Sequence, residues 1–199
     1  MGRLFLGGFA VKAIFWLFLA GNAYGGDKFF AVNLGLTFSQ ESQESENGDR
    51  STDVNKINAH AGFFPLGGFI VGLKYYSETT ANSSTSIVNQ TTSSTTTTTA
   101  TTTGMGLHVG FYADNGFTFG LSYLIAPTYE RTGLQYFGGS GMIAEAGWCW
   151  EWGDFGFGAQ LVYSSLSFAK YKVNGVEADF TEDEKWVEME PMGFAALFF

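Results

Sequence analysis

Residues 104–126 read GMGLHVGFYADNGFTFGLSYLIA. Met105, Leu107, Val109 and Phe111 alternate with Gly104, Gly106, His108, Gly110 and Tyr112. Four turn-forming residues, Ala113-Asp114-Asn115-Gly116, lead into a second alternation: Phe117, Phe119, Leu121, Tyr123 and Ile125 against Thr118, Gly120, Ser122 and Leu124. A period of two puts each set on its own face of a strand, and a short Asp/Asn/Gly connection suits a hairpin. The large apolar residues fall on one face, and the glycines, the histidine and the hydroxyls on the other. A soluble cup with an apolar core would do the opposite, placing large residues inside and charges outside.

The same alternation extends in both directions. Over 28–40, Phe30, Val32, Leu34, Leu36 and Phe38 oppose Phe29, Ala31, Asn33, Gly35, Thr37 and Ser39. Over 55–64, Ile57, Ala59, Ala61 and Phe63 oppose Lys56, Asn58, His60 and Gly62; over 69–79, Phe69, Val71, Leu73 and Tyr75 oppose Gly72, Lys74, Tyr76 and Glu78. Over 140–151, Met142, Ala144, Ala146, Trp148 and Trp150 oppose Glu145, Gly147, Cys149 and Glu151. Over 155–168, Phe155, Phe157, Ala159, Leu161 and Tyr163 oppose Gly156, Gly158, Gln160 and Ser164. In the last segment, 186–199, Val187, Met189, Gly193, Ala195, Leu197 and Phe199 oppose Glu188 and Glu190. Pro191 interrupts its donors, which predicts a bulge and a regular closing stretch of only 192–199.

Three connections are short: Pro65-Leu66-Gly67-Gly68, Ala113-Asp114-Asn115-Gly116 and Trp152-Gly153-Asp154. Four are long and polar, at roughly 41–54, 80–103, 127–139 and 169–185. Aromatics gather beside the short turns, and Tyr75, Tyr123, Tyr129 and Tyr163 nearer the long connections. Such belts are expected where lipid meets water. The fold class implied is all-β, an eight-stranded antiparallel up-and-down transmembrane β-barrel, its last strand pairing with residues 28–40.

The composition agrees. Hydrophobic residues make up 45%, yet mean hydropathy is only +0.05, so the apolar residues are interleaved rather than blocked. Residues 1–23 read as a secretory signal peptide: Arg3 at the start, the apolar run Ala13–Ala20 after Lys12, and small Gly21 and Ala23 before the cleavage point. That run is too short for a spanning helix, which needs about 20 residues. Its removal leaves the chain more acidic than its net charge of −9, so nucleic acid is not an expected partner. Cys149 is the single cysteine. It can form no internal disulfide and reads as a small packed residue.

In this architecture the chain resembles the small eight-stranded outer-membrane barrels of Gram-negative bacteria, the OmpA transmembrane domain and the OmpX-like proteins. The resemblance spans 24–199. It implies localisation to the cell outer membrane with both termini periplasmic, and outer-membrane lipid as a partner. It also implies a signal for the barrel-assembly machinery in the last strand, at Leu197 and Phe199. The soluble peptidoglycan-binding domain that follows the barrel in OmpA proper is not expected here, nor is a cell-wall anchoring role.

The expected interior polar cluster is Lys56, His60, Lys74, Glu78, His108, Glu145, Glu151, Glu188 and Glu190. Buried charges need partners, and ion pairs within a narrow barrel would supply them. The interior of eight strands is filled by its own side chains, and the Glu surplus would favour cations in any leak. His60 and His108 with Ser122 or Ser164 are the only approach to a catalytic set, and nothing in the sequence fixes a serine beside a histidine. His60, His108 and a Glu are a conceivable metal set without ligand spacing. No catalytic residue, cofactor or metal is assigned, and the chain is not expected to be an enzyme. Residues 79–103, a Ser/Thr-rich tract, are expected to be a mobile extracellular loop. The function expected is a structural or surface-interaction role, adhesive toward host or matrix surfaces through the long loops. The alternative is a narrow channel or small-ligand transport barrel.

Overall fold

The computed structural model describes residues 28–43, 48–89 and 92–199. The expected signal peptide, 1–23, lies outside the described residues. The described residues form one antiparallel sheet of nine strands: β1 (Phe30–Gln43), β2 (Gly48–Leu66), β3 (Phe69–Asn89), β4 (Thr92–Tyr112), β5 (Phe117–Arg131), β6 (Leu134–Phe137), β7 (Ser140–Trp152), β8 (Phe155–Val173) and β9 (Val176–Phe198). Sequential strands pair except β6 and β7, and β9 returns to β1 with Ala31 opposite Phe198 and Leu36 opposite Gly193, closing a ring. Phe199 seals this joint: its carbonyl accepts from the N–H of Phe29 at 2.5 Å and of Phe30 at 3.0 Å, and its own N–H donates to Phe30 O at 2.8 Å.

The alternation decides which face turns inward. Leu107 is 59% exposed while its neighbour His108 is 1% exposed. Val32, Leu34 and Leu36 on β1 lie outside, alternating with buried Ala31, Asn33 and Gly35. On β9, Met192, Phe194, Ala196 and Phe198 are buried and Leu197 is exposed, as is Phe199 just past the strand. Phe29, expected on the inner set, is instead exposed, just before the start of β1. Inside, two apolar clusters bracket the polar residues. One, near the short turns, joins Ala31, Ile70, Tyr112, Cys149, Phe194, Ala196 and Phe198, with Phe64 packed against it. The other contains Tyr76, Leu124, Ile143, Val162, Leu166, Phe168 and Met192. Cys149 is a buried free thiol of the first cluster.

Three expectations are corrected. The described part of the tract at 79–103 is a ladder and not a loop: β3 and β4 pair from Phe69–Phe111 up to Asn89–Thr92. Threonine is β-branched and favours extended backbone, and its hydroxyls pair across the strands, Ser83 with Thr97 at 3.0 Å and Thr85 with Thr95 at 2.9 Å. The long connections at 127–139 and 169–185 shrink likewise. β8 runs to Val173 and turns through Asn174 (φ 48) and Gly175 (φ 90) into β9.

Second, no bulge marks Pro191. Leu161 sits opposite it in a β8–β9 register that is unbroken from Phe155 to Phe168 and shifts only at Phe168/Lys170. The β1 ladder ends at Gly193, so the missing donor falls where that edge is unpaired, and Thr37 Oγ1 meets Pro191 O at 3.3 Å. Third, a ninth strand appears. β6 and β7 have the same two neighbours, β5 and β8, so they share one position in the ring. The break between them is at Gly138, whose φ of 71 suits a glycine.

Candidate functional site: the polar interior

Every second residue of a strand faces the interior, so β2 sends in Lys56, Asn58 and His60, and β3 sends in Lys74, Tyr76 and Glu78. Register then groups residues remote in sequence. His60 lies opposite Lys74, and Lys56 opposite Glu78; His108 lies opposite Gly72 on one side and Ser122 on the other. Glu145 lies opposite Gly120. These glycines carry no side chain into the interior, and the space goes to their long neighbours.

The expected cluster divides into three. The first is fully buried. Lys74 Nζ donates to Glu145 Oε1 at 2.5 Å. The same oxygen accepts from Asn58 Nδ2 and from Gln160 Nε2 at 3.3 Å. Beside them the rings of His60 and His108 stack, centroids 4.0 Å apart and 14° from parallel. His60 Nε2 is 3.1 Å from the Tyr112 hydroxyl, to which Asn33 Nδ2 also donates at 3.3 Å. His108 Nδ1 is 2.9 Å from Ser122 Oγ. His60 Nδ1 is buried without a hydrogen-bond partner, 3.9 Å from Glu145 Oε2. One donor atom from each of His60, His108 and Glu145 lies within 4.8 Å of the others. A cavity of about 10 Å³ opens among these residues, bounded by Tyr112, Thr118, Gly120 and Gln160.

The second group centres on Lys56, whose ammonium is 2.6 Å from Glu188, 3.1 Å from Glu190 and 3.6 Å from Glu78. Tyr76 donates its hydroxyl proton to Glu78 at 2.8 Å. Glu188 is half exposed, so this group faces a wider mouth. A cavity of about 280 Å³ lies there, between Tyr76, Glu78, Ser164, Leu166, Trp186 and Glu188. The third is Glu151 alone, which meets Lys28 at 3.4 Å at the short-turn end, apart from the other eight.

Ser122 departs from expectation, because register places it beside His108. The set is nonetheless closed to a substrate: Ser122, His108 and Glu145 are all buried, and a cavity of this size holds about one water. Asn33, Asn58, Tyr112 and Gln160 complete the site but were not singled out from sequence. Their inward parity was visible; their grouping depends on register between strands. No protein-family model matches the chain, and no curated protein matches it either.

Proposed function

We propose that this chain is an outer-membrane β-barrel protein, non-conducting, with a structural or surface-interaction role carried by the projecting ends of its strands. The observation that carries this is the inversion of the two faces. Val32, Leu34, Leu73, Met105, Leu107, Leu121, Ile125, Met142, Trp150, Phe157 and Leu161 are exposed around the ring, while Lys56, Lys74, His108 and Glu145 are buried within it. Exposed apolar patches on soluble monomers stay below about 600 Å². A belt that encircles the molecule is stable only in an apolar solvent, and a closed sheet is one of the two structures that satisfy their backbone there. Among the described residues no helix is long and apolar enough to cross a membrane, a fact that bears on helices alone.

Strand length supports the surface role. β3 and β4 have 21 residues each, about 70 Å at ~3.3 Å per residue. A transmembrane strand needs about 9–11. The remainder, the Ser/Thr ladder, would stand outside the lipid as a polar ribbon available to host or matrix surfaces. Both termini and the short turns would then lie on the periplasmic side, and Leu197 and Phe199 at the end offered to the assembly machinery. The mouth cavity favours a ligand-holding variant of the transport alternative, but the ion pairs and apolar clusters beneath it fill the path.

The test is cell fractionation with planar-bilayer recording on the refolded protein. Recovery in the membrane fraction without unitary current steps is expected. Recovery in the soluble periplasm would overturn the membrane assignment, and reproducible single-channel steps the non-conducting one.

A further inference from the structure

We propose that His60, His108 and Glu145 bind one transition-metal ion of the imidazole-preferring class, with Zn²⁺ as the type case, in the cavity between them. The inference does not depend on where the protein resides. Its first ground is convergence: two imidazoles and a carboxylate from β2, β4 and β7 bring donor atoms within 4.8 Å of one another. Such a set suits Zn²⁺ and its neighbours, which accept three protein ligands and a water. It does not suit Ca²⁺ or Mg²⁺, which want six or more oxygens.

The second ground is independent. His60 Nδ1 is buried and has no hydrogen-bond partner, an arrangement that is costly unless something else occupies the site. It faces Glu145 Oε2 across 3.9 Å, and the adjoining cavity of about 10 Å³ is the size of a single small occupant. The third ground is the support around the donors. His60 Nε2 lies against Tyr112 and His108 Nδ1 against Ser122. If those nitrogens carry the protons, His60 Nδ1 and His108 Nε2 are left as lone pairs. Metal-binding histidines are held this way by the hydrogen bond of the other nitrogen. Gly120 keeps the site open: a Cβ there would come within 2.7 Å of His108 Cε1 and 3.1 Å of Glu145 Oε2.

Lys74 opposes the ion. Its ammonium holds Glu145 Oε1, leaving Oε2 for the metal, and its charge repels a cation in the same low-dielectric space. The site therefore binds more weakly than its donors alone would allow, and removing this charge tightens it.

The experiment is equilibrium dialysis of the untagged protein against Zn²⁺ with elemental quantification, and Co²⁺ absorption as a reporter of nitrogen ligation. One ion per chain is expected. His60→Asn or His108→Asn should weaken binding at least about tenfold. Gly120→Ala should weaken it with all three donors retained, and Lys74→Met should tighten it at least about tenfold. Far-UV circular dichroism confirms that each variant keeps its strands. Absence of stoichiometric binding by the unmodified protein up to about 100 μM metal would overturn the proposal whatever the variants do. Binding undiminished in both histidine variants, or unchanged in Lys74→Met, would place the ion elsewhere and overturn it equally.

Discussion

The two halves of the β3–β4 hairpin share one ladder and differ in everything else. From Phe69–Phe111 to Tyr76–Gly104 the outer residues are large and apolar, and the inner ones are Gly, Lys and His with Ile70 and Tyr76. From Ser77–Thr103 to Thr85–Thr95 serine and threonine dominate both faces. The backbone hydrogen bonds continue through the change, so pairing alone does not report the surroundings; the side chains do. In the first half the sheet separates an apolar outside from a charged inside. In the second both faces suit water. β8 and β9 repeat the contrast. Leu161 and Tyr163 lie on their outer face, and the exposed pairs Lys170–Asp179 (3.8 Å) and Lys172–Glu177 (3.7 Å) lie beyond.

The largest expected difference between the halves concerns charge. Glu145→Ala leaves the Lys74 ammonium buried without its partner, a loss of about 3–5 kcal/mol. Glu177→Ala, which opens the exposed pair with Lys172, should cost under about 1 kcal/mol. Urea unfolding of the refolded protein measures both. Equal effects would mean that the interior is hydrated and the contrast false.

A smaller effect is expected on the outer face. Leu107→Arg puts a charge into the apolar belt and should cost about 2–4 kcal/mol when the protein is folded into bilayers. Thr99→Arg, on the polar ribbon, should stay within about 0.5 kcal/mol. The smallest effect tests the ribbon itself. Thr95→Ala removes one cross-strand hydroxyl contact and should cost about 0.2–1 kcal/mol. A larger loss would mean that the ribbon stabilises the ring rather than merely extending it.

The lower half was legible from sequence and the upper half was not, for a physical reason. Alternation is visible only where a sheet divides two different environments. Leu107 against His108 announces a strand; Thr97 against Thr98 does not, because both faces meet the same solvent. Propensity was the remaining signal, since β-branched threonine favours strands, but the Ser/Thr composition read as a hydrated loop. The candidate site was legible residue by residue, and its grouping was not. Parity turned Lys56, His60, His108 and Glu145 inward. Only register brings Lys56 to Glu188, 132 positions away, or Ser122 to His108. Pro191 misled because a missing donor matters only on a paired edge, and the β1 edge is unpaired there.

The central claim is that the outer face of the lower half meets lipid and the upper ribbon meets water. Cys149 is buried, so a fluorophore can be attached selectively to Leu107→Cys or to Thr97→Cys in vesicles. Brominated acyl chains should quench the label at 107 and leave the label at 97 unaffected, while aqueous iodide should do the reverse. Quenching of both labels by iodide, with neither reached by brominated lipid, would contradict the account.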